Sequence, residues 1–171
     1  MASEAPCYIV DTNVLSNQRD AADDSIVATW LRRYAGRIRI SVVTVAEMHR
    51  GLLLLEAKAA STADRAANVR ITATLRRKRA WYDAVLDRFD DRLEPIDRSV
   101  AEKWAEVSVR FPSLRDGDKA IAATAMAKGH GIATRNLGDF RHAGVPLINP
   151  FDPGTWDADW DDDPLSALSR T

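Results

Sequence analysis

Residues 7–16 read Cys-Tyr-Ile-Val-Asp-Thr-Asn-Val-Leu-Ser. The run Cys7 to Val10 is apolar, contains β-branched residues and stops abruptly at a carboxylate, Asp11. That is the pattern of a short buried strand with a polar residue at its carboxyl end. Ile38–Ser41, Gly131–Thr134 and Val145–Ile148 have the same character, and Leu93–Ile96 is a weaker version that Pro95 pushes towards the periphery of a sheet. Helical stretches separate them. Ile26, Trp30 and Leu31 share a face between Ser25 and Tyr34, and a helix starting at Thr44 carries apolar residues through Leu55. Tyr82, Val85, Leu86 and Phe89 line a second long helix that also carries Leu75; Val100, Trp104, Val107 and Phe111 line a third. Asp118 opens a helix so rich in small and apolar residues that it must pack on more than one side, and Gly129 suits its C-terminal cap. Strands alternating with helices require crossover connections. The expected fold is therefore α/β: a three-layer α/β/α domain with a short parallel central sheet.

The chain has 171 residues, 46% of them hydrophobic and 29% charged, with a formal net charge of −1. That length suits one domain. A single cysteine, Cys7, excludes an internal disulfide framework. No stretch approaches the roughly 20 apolar residues of a membrane span, and Met1–Pro6 lacks the basic cluster of a targeting peptide, so a cytoplasmic location is expected. The small net charge conceals a division. Arg32 to Arg79 holds twelve Lys and Arg against three acids, whereas Asp152 to Thr171 holds six Asp and one Arg. A basic middle suits a polyanionic partner, and it is equally the pattern of solvated helix faces.

In parallel sheets ligands gather beyond the carboxyl ends of the strands. Asp11 ends the first strand, Asp118 begins the apolar helix, Asp139 follows the strand ending at Thr134, and Glu47 lies one turn into its helix. Each has a plainer reading. Asp11 and Asp118 are favoured helix caps, Thr44 to Glu47 matches a capping box, and Asp139 suits a surface turn. Converging at one sheet edge, however, the four carboxylates would repel one another unless a cation such as Mg²⁺ or Mn²⁺ joined them. Such a centre activates water against a phosphodiester. Asp116 offers a further carboxylate at the same rim, as a supporting group or a turn residue. His49, His130 and His142 show no metal-ligand spacing, and no Ser–His pair is evident.

Four blocks carry a resemblance. Tyr8-Ile-Val-Asp-Thr-Asn-Val-Leu-Ser16, Ser41-Val-Val-Thr-Val-Ala-Glu-Met-His-Arg-Gly-Leu52, Asp118-Lys-Ala-Ile-Ala-Ala-Thr-Ala125 and Thr134-Arg-Asn-Leu-Gly-Asp-Phe140 occur in the order of the signature blocks of PIN-domain ribonucleases. The chain most resembles the VapC toxins of type II toxin–antitoxin pairs, in their FitB-like branch, and Val145-Pro-Leu-Ile-Asn-Pro150 resembles that branch's terminus. The resemblance implies Asp11 and Asp118 as metal ligands, with Glu47 and Asp139 acting directly or through water. Thr12 and Asn13 would orient Asp11, and Asn136 would support the site. It also implies an RNA substrate, a small VapB-like antitoxin and a homodimer. Arg135 beside the site, and Arg70 with Arg76, Arg77, Lys78 and Arg79, are candidates for RNA backbone contact. The run Arg76–Arg79 must point several ways around a helix, so antitoxin or dimer contact is the alternative. Leu52–Leu55 exceed one amphipathic face, which fits core burial, with or without a partner.

The expected division is a PIN domain over residues 1–150 and a flexible acidic tail over 151–171. That tail is a departure from the family pattern, and it could fold back on the basic region or simply aid solubility. Two other functions compete. A non-catalytic PIN-like RNA-binding or regulatory module would have lost ligands, but all four acidic positions are filled. A haloacid-dehalogenase-like phosphatase needs a second Asp two residues after the first, where this chain has Asn13.

Overall fold

The computed structural model describes residues 7–18, 25–141 and 143–156. In chain order these form β1 (Tyr8–Val10), α1 (Thr12–Gln18), α2 (Ile26–Arg33), β2 (Ile38–Ser41), α3 (Val42–Ser61) and α4 (Arg65–Phe89). They continue as β3 (Leu93–Glu94), α5 (Arg98–Arg110), α6 (Asp116–Lys128), β4 (Gly131–Ala133), α7 (Leu137–Phe140) and β5 (Leu147–Ile148). The strands make one sheet in the order β3-β2-β1-β4-β5, and every neighbouring pair is parallel. Pro95 stops β3 after two residues at the sheet edge, as its missing N–H requires.

Alternation along β1 divides the interior. Tyr8 and Val10 point into a cluster with Val14, Trp30, Ile40, Met48, Val85 and Phe89, beneath α1–α4. Ile9 points the other way, to Val107, Ile121, Ala122, Ile132 and Phe140 under α5, α6 and α7. Both faces of the sheet are therefore covered, which is the expected three-layer arrangement. The first cluster is anchored by aromatic rings, with Trp30 stacked on Tyr34 at 5.2 Å and edge-on to Tyr8 at 6.0 Å. Such pairs add about 0.5–1.5 kcal/mol to the burial of the rings.

Three local expectations need correction. The helix read from Thr44 begins at Val42, because Ser41 at the end of β2 caps it, accepting from Val43 N at 3.2 Å. Thr44 is thus inside the helix and fully buried, its hydroxyl turned to Val10 O at 3.5 Å, so no Thr44–Glu47 capping box forms. Asp118 does not open its helix either: α6 starts at Asp116 after Arg115, and Asp118 is its third residue. Finally, α1 follows Asp11 at once, although the sequence reading placed no helix there. Gly129 does end α6, in the left-handed region at φ 65°.

The packed chain also runs past Pro150. Phe151 packs against the first cluster and Trp156 is buried in it, while Tyr34 Oη donates to Trp156 O at 2.7 Å. The acidic residues of 157–171 lie outside the described residues. No helix among the described residues is long and apolar enough to cross a membrane.

Candidate functional site

From β1 the sheet grows outwards first through β2 and β3 and then, on the other side, through β4 and β5. The crossovers diverge between β1 and β4, leaving a crevice beyond their carboxyl ends. Asp11 and Thr134 face each other there. Thr134 Oγ1 donates to Asp11 Oδ2 at 2.7 Å, and Asn13 Nδ2 donates to the same oxygen at 2.6 Å. Asn13 also bridges outward, its Oδ1 accepting from Arg135 N at 3.2 Å. Asn136 enters through its backbone, its N–H donating to Thr134 Oγ1 at 3.0 Å. Asp11 is thereby fixed in one orientation. Its cap-like contact to Asn13 N is long, 3.4 Å, so capping is the lesser of its roles.

Glu47 reaches the crevice from α3. Thr12 Oγ1 donates to Glu47 Oε2, so Thr12 holds Glu47 rather than Asp11. The other oxygen lies so close over Gly117 that a Cβ there would collide with it. Glycine at 117 leaves room for the end of the Glu47 side chain over the first turn of α6. That turn separates the two neighbouring aspartates. The Asp116 side chain is 86% exposed and pairs with Lys119 at 3.1 Å, whereas the Asp118 side chain is 6% exposed. Asp118, not Asp116, belongs to the crevice. Its partner is Arg115, with Nε 2.9 Å from Oδ2 and Nη2 3.4 Å from Oδ1. Asp139 sits exposed in α7, its charge felt by Arg115. It lines a cleft of about 220 Å³ with Phe111, Leu114, Ala122 and Gly138.

The charges at the crevice act on one another. Burial pushes the Asp11 carboxyl above its ordinary value, the bonds from Thr134 and Asn13 pull it back, and the charges of Asp118 and Glu47 push it up again. The same charges favour the ionised form of Arg115, Asp118 foremost and then Asp139 and Glu47. Two buried carboxylates, Asp11 and Asp118, with the exposed Glu47 beside them, are hard oxygen donors of the kind that suit Mg²⁺ or Mn²⁺. The donors are not drawn in around a common point: among the described residues no group of three His, Cys, Asp or Glu stands ready to hold an ion. Glu47 is bonded to Thr12 and Asp118 to Arg115.

The basic residues are distributed unevenly. Arg135 is at the crevice, its guanidinium 3.9 Å from the centroid of the Phe151 ring. Arg76 and Arg77 are exposed on α4, and Arg79 pairs with Glu56 of α3. Glu56 is nine residues beyond Glu47, about 13 Å along that helix, so the run lies well away from the carboxylates. The four leucines of α3 also divide: Leu52 is buried, while Leu53 and Leu54 are 52% and 55% exposed. Three residues that shape the crevice escaped the sequence reading, namely Thr134, Arg115 and Gly117. For Thr134 a signal existed, since it ends the strand beside the one that ends in Asp11.

The chain is similar to known proteins over most of its length. The family model of the PIN domain matches residues 8–145. The VapC ribonuclease Y4jK of Sinorhizobium fredii is 32% identical over 150 residues, covering 85% of this chain and 98% of its own. Toxin FitB of Neisseria gonorrhoeae is 28% identical over 148 residues, covering 84% and 97%. Among solved structures, FitAB bound to an IR36 DNA fragment is similar with a TM-score of 0.64 and 27% identity, over 85% of this chain and 96% of that one.

Proposed function

The chain belongs to the PIN-domain family, and from that premise we propose that it is the toxin of a type II toxin–antitoxin pair, a Mg²⁺- or Mn²⁺-dependent ribonuclease. The observation that carries this reading is that two buried carboxylates, Asp11 and Asp118, lie at the crevice where the crossovers diverge, with Glu47 reaching it from α3 over Gly117. Nothing about the core requires buried like charges at that point. A divalent ion offsets them and, when bound, lowers the pKa of water and stabilises charge on a phosphate.

The protein's own residues divide the work. Thr134 and Asn13 lock Asp11, so that it meets the ion without losing side-chain freedom. Gly117 admits Glu47 to the same edge from the opposite helix. Asp118 supplies the second direct ligand from α6. Asp139, exposed at the rim, orients the attacking water or completes the ligand set. Arg135 is placed to contact the backbone of a single RNA strand, with the cleft beside Asp139 open to its neighbouring nucleotides. Asn13 is an amide occupied in bridging Asp11, Thr134 and Arg135, which leaves no second carboxylate to act as acid or base in the phosphatase reading.

The antitoxin and the second copy of the chain are the proposed partners. Leu53 and Leu54 of α3 and Val69 of α4 are exposed large apolar residues on the long helical pair, suited to such contacts. Arg76, Arg77 and Lys78 accompany them. This basic run is assigned to a protein partner in preference to RNA because of its distance from the carboxylates.

The test is cleavage of single-stranded RNA by wild type and Asp118→Asn with Mn²⁺, together with growth on expression. Wild type should cut RNA and arrest growth, and co-expression of the neighbouring small gene product should relieve the arrest. Asp118→Asn should do neither. Full cleavage by the variant refutes the assignment of the site.

A further inference from the structure

A buried carboxylate needs a partner, and the one that Asp118 has is unusual. Arg115 is three residues earlier, at the position before α6, and its side chain is 77% exposed. A cation there sits at the end of the helix where the dipole disfavours it. Its aliphatic stem covers little, since most of the side chain faces solvent. What holds it is charge: two nitrogens on the two oxygens of Asp118, with Asp139 and Glu47 acting from further away. The guanidinium thus occupies the mouth of the crevice, neutralising the carboxylates that a metal ion would neutralise.

We propose that Arg115 is the resident counter-cation of the site, which must release Asp118 before a divalent ion can bind there. The proposal rests on the metal-ion reading above and adds to it a residue that sets the ion affinity. Exposure makes the exchange easy. An ion pair with one partner in water is weakly held, and a divalent ion competes for both oxygens of Asp118 at once. The exchange also has a consequence: ion binding frees a guanidinium at the entrance of a site meant for a polyanion. Arg115 is in this sense a positioning residue for Asp118, which it holds through both carboxylate oxygens in the ion-free protein.

The experiment is calorimetric titration of Mn²⁺ into RNA-free wild type, Arg115→Gln, Arg115→Lys and, as a control, Arg98→Gln, which removes an exposed arginine paired to Glu102 on α5. Arg115→Gln should bind Mn²⁺ about two- to fivefold tighter than wild type, the loss of one competing ion pair. Arg115→Lys should fall between the two, and Arg98→Gln should match wild type. In a Mg²⁺ titration followed by NMR, the Arg115 Nε–Hε signal should move to the position of an unpaired arginine as the site fills. Equal or weaker Mn²⁺ binding by Arg115→Gln, or an Nε–Hε signal unmoved at saturation, overturns the proposal and leaves the metal site standing. Absence of Mn²⁺ binding by both wild type and Arg115→Gln overturns the metal reading itself, and this proposal with it.

Discussion

Replacing Asp11 by Asn should make the ion-free protein more stable while abolishing its activity. Both short hydrogen bonds to Asp11 end on Oδ2, from Thr134 Oγ1 at 2.7 Å and Asn13 Nδ2 at 2.6 Å. An asparagine with its carbonyl oxygen there keeps both, and its NH₂, a donor, gives up only the long 3.4 Å bond that Oδ1 accepts from Asn13 N. What disappears is a buried charge facing two others. Burial, then Asp118 and Glu47, raise the Asp11 carboxyl, so the folded state binds a proton more tightly than the unfolded chain does. The penalty of ionising it therefore grows as pH rises from the ordinary value of 3.8 to the raised one, and is complete above that. Removing it should contribute about 1 kcal/mol at pH 7, within the usual range for relief of functional strain. For a chain of this size that is a rise of about 2–4 °C in Tm. The assay is thermal unfolding of both proteins in chelator from pH 3 to pH 8. The two curves should meet near pH 3, where neither protein is charged at position 11, and separate as pH rises. Saturating Mn²⁺ should reverse the order, since only wild type gains the binding energy. A variant less stable than wild type at pH 7 in chelator, or a difference that widens towards acid, would refute the reasoning.

Other perturbations test the supports of the site. Gly117→Ala adds a Cβ that meets Glu47 Oε1, so Glu47 must move; RNA cleavage should fall about a hundredfold, while the melting temperature changes by less than about 4 °C. Arg135→Ala removes the cation from the Phe151 face and should cost about 0.5–1 kcal/mol in denaturant titrations. The same change should reduce the slope of log affinity for single-stranded RNA against log salt by about 0.7, the share of one phosphate contact. Trp156→Ala empties a buried position six residues beyond Pro150 and should cost about 3 kcal/mol of unfolding free energy in urea.

The layout of the fold was legible because its strands are short, apolar and bounded by polar residues, and because the helices between them are long enough to show their period. α1 was not, since seven residues following an Asp make too few turns for a period to emerge. The start of α3 was misplaced because Ser41 and Thr44 are both good caps. Only the end of β2 decides between them, by burying Thr44 against Val10. Asp11 could be read because it ends a legible strand, whereas Glu47 and Asp118 stood out by their motif blocks, since α3 and α6 each start two residues earlier than expected. Their surroundings could not be read. Thr134 is 123 residues from Asp11, and its hydroxyl became part of the site only when β4 was laid beside β1. Gly117 reads as a turn glycine until α3 is seen to approach it. Arg115 reads as one arginine among many until Asp118 proves to be buried and in need of a cation.

If these carboxylates act through a divalent ion to hydrolyse RNA with water, the ends of the cleaved strand report on it most directly. Purified wild type stripped with chelator and then resupplied with Mg²⁺ or Mn²⁺ should cut single-stranded RNA only after the ion is restored. Each cut should leave one hydroxyl end and one linear phosphate end, because water, not the neighbouring 2′-hydroxyl, attacks phosphorus. Cleavage that persists in chelator, or that leaves 2′,3′-cyclic phosphate ends, would contradict the account.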